Sequence, residues 1–110
     1  MKLLAPILML TVGAAGAAWG DEPISNSQAS ALFNQYGCQQ CHSTYTSTSS
    51  GPSFKAIAKE YSSDTSAIDY LQSSVLNGSS GVFGDSAMPG VDVPSSDLRA
   101  MINWILQLQL

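Results

Sequence analysis

Cys38, Cys41 and His42 are the only cysteines and the only histidine in the chain, and they fall together in Gly37-Cys38-Gln39-Gln40-Cys41-His42. Three chemistries use such residues. A dithiol/disulfide redox pair needs the two thiols but not the imidazole, and it normally sits at a strand-to-helix junction of an α/β fold. A closed zinc site needs four nitrogen or sulfur ligands, and only three are on offer, so a carboxylate or a second chain would have to complete it. Covalent attachment of a haem uses all three. Each thiol adds to one vinyl group of the macrocycle, two residues of separation on a helical turn match the two vinyl positions, and the adjacent imidazole becomes an axial iron ligand. The spacing therefore predicts one covalently attached haem c, with Cys38 and Cys41 in thioether bonds and His42 on the iron.

A second axial ligand follows by elimination. No other histidine exists, and both cysteines are consumed. Lys55 and Lys59 lie too close in sequence to the attachment site to reach the opposite face. Met1 and Met9 belong to the leader described below, and Met101 lies on an apolar helical stripe, where a thioether packs in the core. Met88 remains, in Ala87-Met88-Pro89-Gly90, with a surface position in a flexible loop as its simpler alternative. His/Met ligation leaves no vacant iron position and raises the reduction potential, which predicts an electron carrier and not a catalyst.

These residues must be positioned by helices. Ser25–Gly37 offers Ser25, Asn26 or Ser27 as N-cap, Leu32, Phe33 and Tyr36 on one face, and Gly37 as a stop. Pro52–Tyr61 places Phe54, Ile57, Ala58 and Tyr61 at i, i+3, i+4 and i+7. Asp64 can cap a third helix running through Ile68, Leu71 and Val75 to Asn77-Gly78. Pro94-Ser95-Ser96-Asp97 opens a fourth, with Leu98, Met101, Ile102, Ile105 and Leu108 on one stripe. No run alternates well enough to be a strand, so the expectation is an all-α fold of about four helices. Residues 43–51, rich in Ser and Thr, read as an exposed loop. Residues 77–94 carry four Gly and two Pro, and a loop of that length in a small domain normally has a function.

The chain opens MKLLAPILMLTVGAAGAAWGDEP, with a lysine, an apolar middle and small residues before two acids. This is the layout of a secretory signal peptide, residues 1–20, cut after Gly20, with Ala17 and Ala18 as alternative positions. Retention as a membrane anchor is the competing reading, weakened by the low hydrophobicity of GAAGAAWG. Residues 21–110 then form a single domain. Lys55, Lys59 and Arg99 oppose eight acids there, a net charge of −5 (3 − 8). With no basic cluster, nucleic acid is not an expected partner, nor is stable membrane contact once the leader is removed. A domain of this size buries only about 60–65% of the surface its unfolded chain exposes, so a large buried cofactor would add needed stability.

Taken together, Leu32-Phe33, Gly37–His42, Gly51-Pro52-Ser53-Phe54-Lys55, Asn77–Gly84, Met88-Pro89 and Trp104 resemble the small bacterial class I c-type cytochromes of the cytochrome c-551/c-552 (cytochrome c8) group. The resemblance runs from about Ser30 to Leu106. It implies a compact all-α fold around one haem, with the first and last helices crossing near Phe33 and Trp104. It implies that the Pro52 carbonyl accepts a hydrogen bond from the axial imidazole, although a proline at the first helical position is also ordinary. It further implies a monomeric periplasmic carrier whose partners are a nitrite reductase, a terminal oxidase or a quinol-oxidising complex. A haem c electron-entry subunit of a larger membrane-associated complex is the alternative. Docking would use the haem edge near Gln39, Gln40 and Met88–Val91. Two positions depart from the group. Phe83 stands where a Trp is common and has no N–H for a haem propionate, and Ser74 stands where an Arg often approaches the propionates.

Overall fold

The computed structural model describes residues 23–81 and 87–109; the expected leader, residues 1–20, and Phe83 lie outside them. Four helices follow in order: α1 (Asn26–Gln35), α2 (Phe54–Glu60), α3 (Ala67–Asn77) and α4 (Ser95–Leu106). Short 3₁₀ turns occupy Cys38–Gln40 and Gln107–Gln109. Among the described residues there is no strand, only the isolated bridges Thr48–Gly51 and Ser79–Met88. The all-α expectation holds.

The helix starts are set by local chemistry. Ser25 is the N-cap of α1 in a reciprocal capping box: its hydroxyl accepts from Gln28 N–H at 3.1 Å, while Gln28 Oε1 accepts from Ser25 N–H at 2.8 Å. Ser53 caps α2, its buried hydroxyl accepting from Ala56 N–H at 3.0 Å. Pro52 therefore precedes the N-cap and is not the first helical residue, which corrects the simpler reading of that proline. Asp64 is not the cap of α3, contrary to expectation: Ser66 is the N-cap, and Asp64 lies two residues before it. Asp64 accepts from Ser66 N–H at 2.9 Å and from Ser66 Oγ at 2.6 Å, and α3 begins only at Ala67. Those bonds hold the Asp64 carboxyl below its usual pKa. Pro94 is the N-cap of α4, its carbonyl accepting from Leu98 N–H at 2.9 Å.

α4 is the central element and packs against α1, α2 and α3. Its stripe Leu98, Met101, Ile102 and Ile105 is buried together with Ala29, Phe33, Phe54 and Val93. Met101 is thus a core thioether, as its position on the stripe requires. Phe33 stacks on Phe54 with ring centroids 4.4 Å apart and meets Trp104 edge-on at 5.5 Å. Three polar ties fix the ends of this packing. Trp104 Nε1 donates to Asn26 Oδ1 at 3.0 Å, Tyr36 Oη donates to Asp97 Oδ2 at 2.7 Å, and Lys55 Nζ donates to the Leu108 carbonyl at 3.2 Å. The Tyr36–Asp97 bond, with burial behind it, raises the Tyr36 pKa. Lys55 is therefore engaged with the C-terminal turn.

Candidate haem-binding site

Gly37 ends α1 in the left-handed region at φ 74°, where the absence of a Cβ avoids strain. The chain then winds into one tight turn. Both Cys41 N–H (3.3 Å) and His42 N–H (3.0 Å) donate to the Cys38 carbonyl. Cys38, Cys41 and His42 are thus carried on a single helical turn. The two cysteines form no disulfide; Cys38 is half-buried and Cys41 exposed. Before any thioether forms, burial pushes the Cys38 thiol above its ordinary pKa.

His42 Nδ1 lies 2.7 Å from the Pro52 carbonyl oxygen. A carbonyl can only accept, so Nδ1 carries the proton and the lone pair resides on Nε2. The imidazole is also stacked on Phe54, with centroids 5.4 Å apart and planes 20° off parallel. Gly51 approaches the Nδ1 edge of the ring closely: a Cβ there would stand 2.7 Å from the Cys41 carbonyl and 3.2–3.3 Å from the His42 ring. Tautomer and orientation are both fixed by the polypeptide.

Cys38, Cys41, His42 and Met88 all line one cavity of about 600 Å³. That lies within the roughly 300–1,000 Å³ of small-molecule and cofactor sites. Its walls are mostly apolar, with Phe54, Leu71, Val75, Leu98, Met101 and Ile105 among them. Among the described residues no Lys or Arg lines it, and the polar wall groups are hydroxyls and amides such as Tyr61, Tyr70, Ser74 and Gln40, alongside the ring of His42. Ser74, which stands where the resembled group often has Arg, donates instead to the Tyr70 carbonyl at 3.0 Å. The Tyr61 phenol is pushed up to about 12, first by burial, then by its hydrogen bond with Tyr70 and the nearby carboxylates of Glu60 and Asp64.

Met88 is half-buried at the end of the glycine-rich loop. Its backbone forms a two-way bridge with Ser79, a contact the sequence did not foretell because it involves no side chain. Lys55 and Lys59 are not among the lining residues. Among the described residues, no group of three or more His, Cys, Asp or Glu could hold a metal ion by itself, so the zinc reading has no fourth ligand. No strand flanks the Cys-x-x-Cys turn, which also removes the thioredoxin-like reading. The donor set fits a haem instead: two thiols on one turn, an imidazole with a free Nε2, a thioether, and an apolar chamber of the right size.

Comparisons with known proteins agree. The family profile of cytochrome c matches residues 27–109. Cytochrome c-552 of Hydrogenobacter thermophilus is 31% identical over 103 residues, covering 94% of this chain and 96% of that protein. Cytochrome c-551 of Stutzerimonas stutzeri is 32% identical over 108 residues, covering 98% of each. The crystal structure of wild-type Nitrosomonas europaea cytochrome c552 superposes with a TM-score of 0.69 at 37% identity, over 73% of this chain and 99% of that one. With its Cys38-x-x-Cys41-His42 turn facing a haem-sized chamber, the chain belongs to the cytochrome c family, as a small class I member with covalently attached haem c.

Proposed function

We propose that the chain is a periplasmic one-electron carrier in which Cys38 and Cys41 hold the haem through thioether bonds and His42 and Met88 are its two axial iron ligands. The observation that carries this reading is that both cysteines, the imidazole and Met88, the one thioether outside the core among the described residues, line the same apolar cavity. The bound haem supplies a one-electron Fe(III)/Fe(II) couple. Pro52 and Phe54 keep the imidazole in one tautomer and one plane, so little reorganisation accompanies a change of iron charge. The apolar walls keep water away, and with the soft sulfur of Met88 they favour the lower charge, which raises the potential.

Export fits the same reading. The leader of residues 1–20 is proposed to be removed, leaving residues 21–110 as a monomer. Its electron partners are proposed to be a quinol-oxidising complex on one side and a nitrite reductase or terminal oxidase on the other. Gln39, Gln40 and Cys41 are exposed at the attachment turn, and Ala87, Pro89 and Gly90 beside Met88. None is charged, which suits a weak and transient contact. Expression with haem-attachment machinery, followed by mass measurement and redox titration, tests the proposal. The expected product has the mass of residues 21–110 plus one haem, with a reversible one-electron transition. A protein retaining residues 1–20, or one whose iron takes up exogenous ligands freely when native, would overturn it.

A further inference from the structure

The chain that returns from the glycine-rich loop is docked onto the end of α3, backbone against backbone. Ser79 N–H donates to the Met88 carbonyl at 3.0 Å, Met88 N–H donates to the Ser79 carbonyl at 2.7 Å, and Val91 N–H donates to the Val75 carbonyl at 2.8 Å. Two glycines permit this approach, one from each side. A Cβ on Gly78 would stand 2.8 Å from the Met88 carbonyl oxygen, the same atom that accepts from Ser79. A Cβ on Gly90 would stand 2.7 Å from the Leu76 carbonyl oxygen and 3.3 Å from the Asn77 carbonyl carbon. In both cases the obstructing atom is backbone, which cannot rotate aside. Gly78 also has φ 87° and ψ 163°, a region essentially reserved for glycine. Gly90 lies outside the positive-φ region, so its constraint is proximity alone.

We propose that Gly78 and Gly90 are positioning residues for axial ligation. Their bare faces form a clasp that holds Met88 at the cavity before any bond to iron is made, and the clasp sets how rarely the thioether leaves. The inference rests on Met88 being the axial ligand and adds what keeps it there. A ligand on an untethered loop would lose chain entropy each time it bound. The clasp removes that cost in advance. Opening it raises the fraction of molecules with a vacant iron position, and the apparent affinity for an external ligand rises by the same factor.

The test uses imidazole titration of the ferric holo-protein, the sulfur-to-iron charge-transfer band and the reduction potential, with helical circular dichroism as the fold control. Gly78→Ala and Gly90→Ala are expected to bind imidazole about tenfold or more tightly than the native protein. They should also weaken the charge-transfer band and lower the potential at unchanged helix content. Native-like affinity and band in both variants, while Met88→Ala binds imidazole more tightly, would overturn the clasp. Met88→Ala behaving like the native protein would overturn Met88 ligation itself, a separable result. A second measurement needs no glycine variant. In Met88→Ala holo-protein the Ser79 and Val91 amides should keep their protection from hydrogen exchange. Loss of that protection would mean that the iron–sulfur bond holds the loop, contrary to the proposal.

Discussion

The Pro52 carbonyl oxygen accepts from His42 Nδ1 at 2.7 Å, and this contact decides which imidazole nitrogen faces outward. Its neighbour Gly51 makes the arrangement sensitive to a single methyl group, because a Cβ there would press on the Cys41 carbonyl and the His42 ring together. Gly51→Ala is expected to cost about 1–3 kcal/mol, as overpacking does, and to rotate the imidazole. Urea unfolding of the holo-protein reads the first effect, and a shifted reduction potential the second. Native values for both would show that the turn yields without disturbing the ring.

The crossing of α1 and α4 separates packing from hydrogen bonding. Phe33 touches both Phe54 and Trp104 and is 3% exposed. Phe33→Ala is expected to cost about 3–5 kcal/mol, enough to threaten folding of so small a domain. Trp104→Phe keeps an aromatic edge against Phe33 and loses the bond to Asn26 together with part of the indole's packing, at about 1–2 kcal/mol. Denaturant midpoints of the two variants check the ordering. Equal losses would contradict it.

The Tyr61 phenol contributes to the alkaline dependence of stability. Its pKa in the folded protein is about 12, against an ordinary value of 10.0. Between those values the folded state retains a proton that the unfolded chain has released, so stability falls as pH rises through this window and the contribution is whole below it. Tyr61→Phe keeps the ring and removes the titrating group. The decline of the unfolding midpoint from about pH 10 to about pH 12 should become shallower in that variant than in the native protein. An unchanged slope would place the alkaline sensitivity elsewhere.

Much of the site was legible because its chemistry depends on residue type and short spacing. Cys38, Cys41 and His42 declare themselves within five residues, and α4 shows its buried face as a stripe from Leu98 to Ile105. Elimination leaves Met88 as the candidate second ligand because the chain has so few other donors, and Met88 lines the same cavity. Backbone contacts between distant segments were not legible. Gly78 and Gly90 look like ordinary turn glycines, and only the fold shows each pressed against a carbonyl across the clasp. Similarly, Pro52 reads as a helix start by residue type, whereas the buried hydroxyl of Ser53 takes the cap and frees the Pro52 carbonyl for His42.

Met88→Ala is expected to keep its helices, because α4 and the aromatic cluster do not depend on that side chain. Its potential should fall, since the proposed thioether ligand, which favours ferrous iron, is gone. Redox titration beside far-ultraviolet circular dichroism checks both statements. A variant with native potential would remove Met88 from the iron.

The most direct measurement is carbon monoxide binding by the reduced native holo-protein. Carbon monoxide needs a vacant position on ferrous iron, and the proposed ligation by His42 and Met88 together would leave none. The expected result is a low-spin c-type spectrum unchanged under carbon monoxide, with ready binding only once Met88 is replaced. Prompt uptake by the native protein would contradict a closed, electron-carrying iron centre.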